Sequence, residues 1–144
     1  MPKVQADGLP LPQRYGAILT IVIGISMAVL DGAIANVALP TIATDLHATP
    51  ASSIWVVNAY QIAIVISLLS FSFLGDMFGY RRIYKCGLVV FLLSSLFCAL
   101  SDSLQMLTLA RVIQGFGGAA LMSVNTALIR LIYPQRFLGR GMGI

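Results

Sequence analysis

Residues 15–39 read YGAILTIVIGISMAVLDGAIANVAL, 25 residues interrupted by a single charge, Asp31. A helix needs about 20 apolar residues to cross the hydrocarbon of a bilayer, so this stretch is long enough to span. Pro40 follows it directly and is expected to end the helix, because a proline in the next turn breaks the backbone ladder.

The same test, carried outward along the chain, finds three more spans. The 28 residues 48–75 carry no charge; the second span is placed at 53–74, with Pro50 ahead of it and Trp55 as an interfacial anchor. Only the 16 residues 86–101 are uncharged next, so the third span is completed at 83–101 by letting Lys85 snorkel outward. The fourth runs over 104–131, with Arg111 inside it and Pro134 beyond. A turn around Asp102 makes the last two spans antiparallel neighbours. Residues 1–14 form a leading segment, 75–82 a tight loop, and 132–144 a loop and the start of a truncated fifth span.

Composition agrees with an all-α integral membrane protein whose solvent is the lipid bilayer. The chain is 58% apolar and 10% charged, against about 45–50% and 25% in soluble domains, and its mean hydropathy is +0.91. The net charge of +4 does not point to nucleic acid, which requires bases gathered on a solvated face. Here the bases sit between apolar runs. Lys3, Arg14, Arg81, Arg82, Lys85, Arg130, Arg136 and Arg140 all fall outside the spans or at their ends on one side of the membrane, leaving Arg111 as the base deep within a span. Retention of Lys and Arg in the cytoplasm then puts the N-terminus there. A cleaved signal peptide is the alternative for the first span, with Ala33-Ile34-Ala35 as its small-residue site, but the apolar run is long for one and Asp31 interrupts it.

Cys86 and Cys98 are 12 residues apart on one expected helix, roughly 18 Å along its axis, too far to bridge. No metal-ligand spacing is visible, and no nucleophile and base pair up; the lone His47 falls in an outer loop. The chain reads as a non-enzyme.

Function then rests on the buried charges. Gly16, Thr20, Gly24, Ala28, Gly32 and Asn36 recur every fourth residue along the first span, a stripe that lets another helix approach closely. Asp31 lies seven residues after Gly24 and shares that face, so the acid points into a bundle. An ionised carboxylate there costs about 2.5–3.5 kcal/mol on insertion scales unless a partner, water or a proton compensates. Asp31 is thus a candidate proton or cation site; the plain alternative is a protonated acid bonding between helices. Arg111 lies seven residues, roughly 10 Å, inside the outer end of its span, and Asp31 eight residues, roughly 12 Å, inside its own. Matched depths suggest one electrostatic network. Gln114, Gly115, Gly118 and Asn125 follow Arg111 on one small, polar face, which either borders a cavity or serves close packing alone. Gly79 can supply a positive φ in the loop, and Asp76 would favour the N-terminal dipole of the third helix.

These residues resemble the major facilitator superfamily, and within it the drug:proton antiporters with 14 spans. Residues 30–40, LDGAIANVALP, are similar to that subgroup's first-helix motif; residues 76–82, DMFGYRR, to the superfamily's loop between helices 2 and 3; residues 111–119, RVIQGFGGA, to its fourth-helix motif. Trp55 and Tyr60 fall where the subgroup's second helix carries a Trp and a Tyr. The wording is most similar to SmvA-type pumps for methyl viologen and quaternary ammonium biocides of enteric bacteria. Ser72 and Met77 depart from the loop motif, which often has Gly and a basic residue there. The resemblance covers the chain from about residue 15 to its end.

The resemblance implies four helices of an N-terminal bundle in the bacterial inner membrane, belonging to an exporter of cationic amphiphilic drugs driven by the proton gradient, with no cofactor. Asp31 and Arg111 would couple proton and substrate; Asn36, Tyr60, Gln61, Gln114 and Asn125 would line the cavity. Asp76, Gly79, Arg81 and Arg82 would form the loop motif, and Gly24, Ala28, Gly32, Gly115 and Gly118 would pack helices. A carboxylate pushed toward its neutral form by desolvation and toward its charged form by a cation can trade a proton for a cationic drug. The family builds each half from six helices in 3+3 inverted repeats, so the chain reads as an N-terminal fragment awaiting its remaining helices. Two other readings stand beside this one. A self-sufficient four-helix exporter acting as a dimer would show efflux by this chain alone; a non-transporting subunit or fragment would confer no resistance.

Overall fold

The computed structural model describes residues 11–132 and contains four long helices in sequence: α1 (Leu11–Asp45), α2 (Pro50–Phe78), α3 (Tyr80–Ala99) and α4 (Leu104–Ile132). No strand occurs among the described residues. Each helix holds an apolar stretch of 20 to 33 residues, sufficient to cross a membrane. Residues 1–10 and 133–144, with Lys3, Pro134, Arg136, Arg140 and the expected start of a fifth span, lie outside the described residues.

Local chemistry sets the helix ends. Thr49 caps α2 in an extended conformation, its hydroxyl accepting from the Ser52 amide at 3.2 Å, and Pro50 occupies the first turn, where its missing N–H costs nothing. The Ser103 hydroxyl accepts from the Met106 amide at 3.3 Å at the start of α4. Between α2 and α3 the break is one residue, Gly79, at φ +94°, a backbone state that a Cβ disfavours.

Two sequence expectations need correction. α1 does not stop before Pro40 but runs through it to Asp45. An interior proline forfeits one backbone bond, a loss that membrane helices accommodate. The tight loop expected over residues 75–82 is shorter still: Gly75, Asp76 and Phe78 continue α2, and Tyr80, Arg81 and Arg82 already belong to α3. Asp76 therefore sits in the last turn of α2 rather than ahead of α3 in a free loop, and the Tyr80 hydroxyl donates to its carboxylate. The turn stays this short because Gly79 supplies the left-handed step by itself.

Packing centres on α4. Gly117 leaves room for the Phe91 backbone of α3, whose amide nitrogen would lie 2.7 Å from an added Cβ, and Gly87 of α3 leaves room in turn for Ala120 at 2.7 Å. On the other side, Gly115 admits Ala63 and the Tyr60 carbonyl of α2, each 2.7 Å from an added Cβ. Ala119, Leu121, Val124 and Leu128 of α4 join Phe91, Tyr84 and Ile64 in the core. Large apolar side chains such as Val37, Leu69 and Leu93 point outward, the arrangement a lipid solvent favours and water does not. Cys86 and Cys98 are both free thiols.

Candidate functional site

Asp31 of α1 meets α4 between the helices. Arg111 Nη1 donates to Asp31 Oδ2 at 2.5 Å and to Gln114 Oε1 at 2.8 Å, while Gln114 Nε2 donates to Asp31 Oδ1 at 2.9 Å. The three side chains close a ring, and each carboxylate oxygen of Asp31 holds one donor. The 3-residue spacing of Arg111 and Gln114 puts both on one face of α4, so one helix turn grips the acid from two sides. The side chain of Arg111 is 9% exposed and that of Asp31 19%. At that burial the charges depend on each other, since an uncompensated buried charge costs several kcal/mol.

Further groups surround the ring. The Arg111 guanidinium lies over the Tyr60 ring of α2, 5.5 Å from its centroid, in reach of a cation–π attraction. The Cys98 thiol of α3 donates weakly to Gln114 Oε1 at 3.6 Å. All four helices thus contribute a side chain to one cluster. Gln114 Oε1 faces Arg111 and Cys98, two donors; reversing the amide would set donor against donor, so Arg111 fixes which way Gln114 presents itself to Asp31.

The remaining sequence candidates divide. Gln114 is fully buried within the ring rather than lining a cavity, because both ends of its amide are engaged. Asn125 borders a cavity of about 190 Å³ together with Gly24, Ala28 and Tyr84. Asn36 is exposed, five residues beyond Asp31, its amide donating to the Gly32 carbonyl at 3.0 Å. Gln61 is exposed, one residue past buried Tyr60 on α2 and therefore about 100° around the helix from the cluster. Neither Asn36 nor Gln61 reaches the ion pair. Arg81 and Arg82 are exposed beside Gly79. Of the packing candidates, Gly24, Ala28, Gly115 and Gly118 are buried against neighbours, whereas Gly32 has nothing within 4 Å of an added Cβ.

Sequence reasoning missed four participants. Gly117 lies in the same glycine-rich run as Gly115 but faces α3, since two residues turn the helix by about 200°. Gly87 and Cys98 had no visible partner until α3 and α4 were docked. Tyr84 donates to the Thr20 carbonyl of α1 at 2.9 Å, and Gly24 is the position that lets this phenol approach. Among the described residues no three His, Cys, Asp or Glu side chains gather as a metal site would require.

The described residues form a four-helix membrane bundle with an acid–arginine pair between α1 and α4, and sequence relationships supply its class. The profile of the Major Facilitator Superfamily matches residues 21–144. The chain is 34% identical over 134 residues to the riboflavin transporter RibZ of Clostridioides difficile, 93% of this chain and 29% of that protein. It is 34% identical over 137 residues to the tetracenomycin C resistance and export protein of Streptomyces glaucescens, 95% of this chain and 25% of that protein. It is 39% identical over 115 residues to the putative multidrug resistance protein MdtD of Salmonella paratyphi B, 80% of this chain and 24% of that protein. The chain belongs to the major facilitator superfamily. It spans between 24% and 29% of the length of these relatives.

Proposed function

We propose that this chain supplies the first four helices of a proton-coupled exporter of lipophilic cations, seated in a bacterial inner membrane with its N-terminus cytoplasmic. The observation that carries the reading is the Asp31–Arg111–Gln114 ring between α1 and α4. Asp31 holds a negative charge for which a proton, the Arg111 cation and a cationic substrate compete. When a proton neutralises the carboxylate, the attraction to Arg111 falls and α1 loses its strongest tie to α4; when the proton leaves, the charge returns and is shared between Arg111 and the incoming cation, and the tie regains full strength once the cation has gone. Relatives named for multidrug resistance and for drug export support the export direction. Quaternary ammonium biocides and methyl viologen fit a carboxylate-centred site, because a permanent cation can share the carboxylate with Arg111 once the proton has left.

The test is efflux of a permanent monovalent cation by the full-length protein as a function of pH. Replacing Asp31 with Asn should abolish proton-driven efflux, and Arg111→Lys should retain part of it. Unchanged efflux in the Asp31→Asn variant removes the acid from the mechanism. A relative named as a riboflavin transporter supports a second substrate class, an uncharged heteroaromatic; saturating inhibition of cation transport by riboflavin would favour it.

A further inference from the structure

Among the described residues, three buried side-chain polar atoms have no hydrogen-bond partner: Arg111 Nε, the Tyr60 hydroxyl and Asn125 Oδ1. They are not scattered. The Tyr60 hydroxyl lies beside Gly118, 3.2 Å from where a Cβ there would be, so the three mark positions 111, 118 and 125 of α4. Steps of seven residues are two helical turns, about 10.5 Å each, on nearly one face. Buried polar atoms pair with protein or with ordered water, and a line of them leading away from a titratable acid has an evident use.

A cavity continues that line. It has a volume of about 190 Å³, is open on one side and is bordered by Gly24, Ile25 and Ala28 of α1, Tyr84 of α3, and Leu121, Met122 and Asn125 of α4, room for several waters. Ala28 stands three residues before Asp31 on the same face of α1, and Leu121 three residues after Gly118 on α4, each about 4.5 Å along its helix. The cavity therefore begins within one turn of the acid on one wall and of the Tyr60 hydroxyl on the other. Its far wall holds the Tyr84 hydroxyl, whose proton is given to the Thr20 carbonyl and whose oxygen can still accept.

The geometry points to a proton path: waters held by the Tyr60 hydroxyl, Asn125 and Tyr84 connect Asp31 to the Gly79 end of the bundle, the cytoplasmic end in the orientation proposed above. This rests on the proposed proton coupling at Asp31 and adds the route by which the proton leaves. The carboxyl O–H passes its proton to the nearest water, that water passes one on, and so along the chain. Each oxygen gains one proton and loses one, a proton reaches bulk water, and the carboxylate remains for the cation. The groups facing Asp31 are Arg111 and Gln114 from α4, with Tyr60 of α2 on the guanidinium face and Cys98 of α3 behind Gln114. None of these offers a competing exit, since Arg111 and Gln114 both donate toward the acid.

The experiment is proton release from the purified full-length protein, followed with a pH dye after mixing with tetraphenylphosphonium, alongside equilibrium affinity for the same cation. Tyr60→Phe, which keeps the ring over Arg111, Asn125→Leu, and Ile25→Phe, which fills the cavity from a half-exposed wall position, should each slow release about tenfold more than they weaken affinity. A merely structural role would lower rate and affinity together. Unchanged release rates in all three variants overturn the path, as would a full-length structure with protein side chains bonded to the Tyr60 hydroxyl and Asn125 Oδ1. Release that persists in Asp31→Asn overturns instead the coupling role of the acid, so the two failures are distinct.

Discussion

α4 and α1 are both apolar enough to cross a membrane, yet 61% of the most apolar stretch of α4 is buried within the bundle against 17% of that of α1. α4 is wedged between α2 and α3 by glycines that face both ways. α1 touches the bundle along a narrow strip that includes Ile21, Gly24, Ala28 and Ala35, with polar ties that include the Tyr84 hydroxyl to Thr20 and the Asp31 ring to α4. The difference teaches how such a bundle divides labour. A helix locked by backbone contact on two sides has little room to shift, whereas a helix seated on a narrow strip depends on its polar ties for its position.

This contrast can be broken or sharpened by substitution in the purified full-length protein, scored by melting temperature in detergent. Gly117→Leu should be the most damaging, destabilising by about 3 kcal/mol or preventing assembly, because its side chain meets the Phe91 backbone and the Gly87 carbonyl, which cannot step aside. Arg111→Leu should cost about 3 kcal/mol by stranding Asp31, and adding Asp31→Asn should recover most of that loss; a double variant no better than the single would mean that the pair does not act as a unit. Gly24→Ala should cost about 1–2 kcal/mol by displacing the Tyr84 phenol from α1. Tyr84→Phe should cost about 1 kcal/mol for the lost bond to Thr20, the smaller value because the ring stays in place. Gly32→Ala, with open space around it, should be neutral or stabilise by about 0.5–1 kcal/mol through helix propensity. A large cost at Gly32 would show that another element covers this face of α1.

The helices were legible because crossing hydrocarbon leaves a length and a composition that local sequence records. Their ends were less so. Pro40 reads as a stop but loses only one bond in a helix that otherwise keeps its ladder, and the loop motif shrank to Gly79 because one left-handed residue suffices to turn the chain. In the site, Asp31 and Arg111 could be matched by depth, since rise per residue converts sequence position into height. Azimuth was harder to read. Gln61 and Asn36 are polar and at plausible heights, yet they face away from the ion pair, and only docked helices decide which side of each meets its neighbour.

The sequence by itself determined four membrane-length helices, the heights of their charges and the resemblance to the major facilitator superfamily, which the family match bears out, because each depends on residues close together along the chain. Only the tertiary structure decided that Gln114 completes a ring with Asp31 and Arg111, that Gly117 and Gly87 serve α3, and that Tyr84 reaches α1. Those outcomes depend on helix rotation and on side chains up to 83 residues apart, and helix packing in lipid, driven by shape and hydrogen bonds, leaves no periodic signal that would announce them in advance.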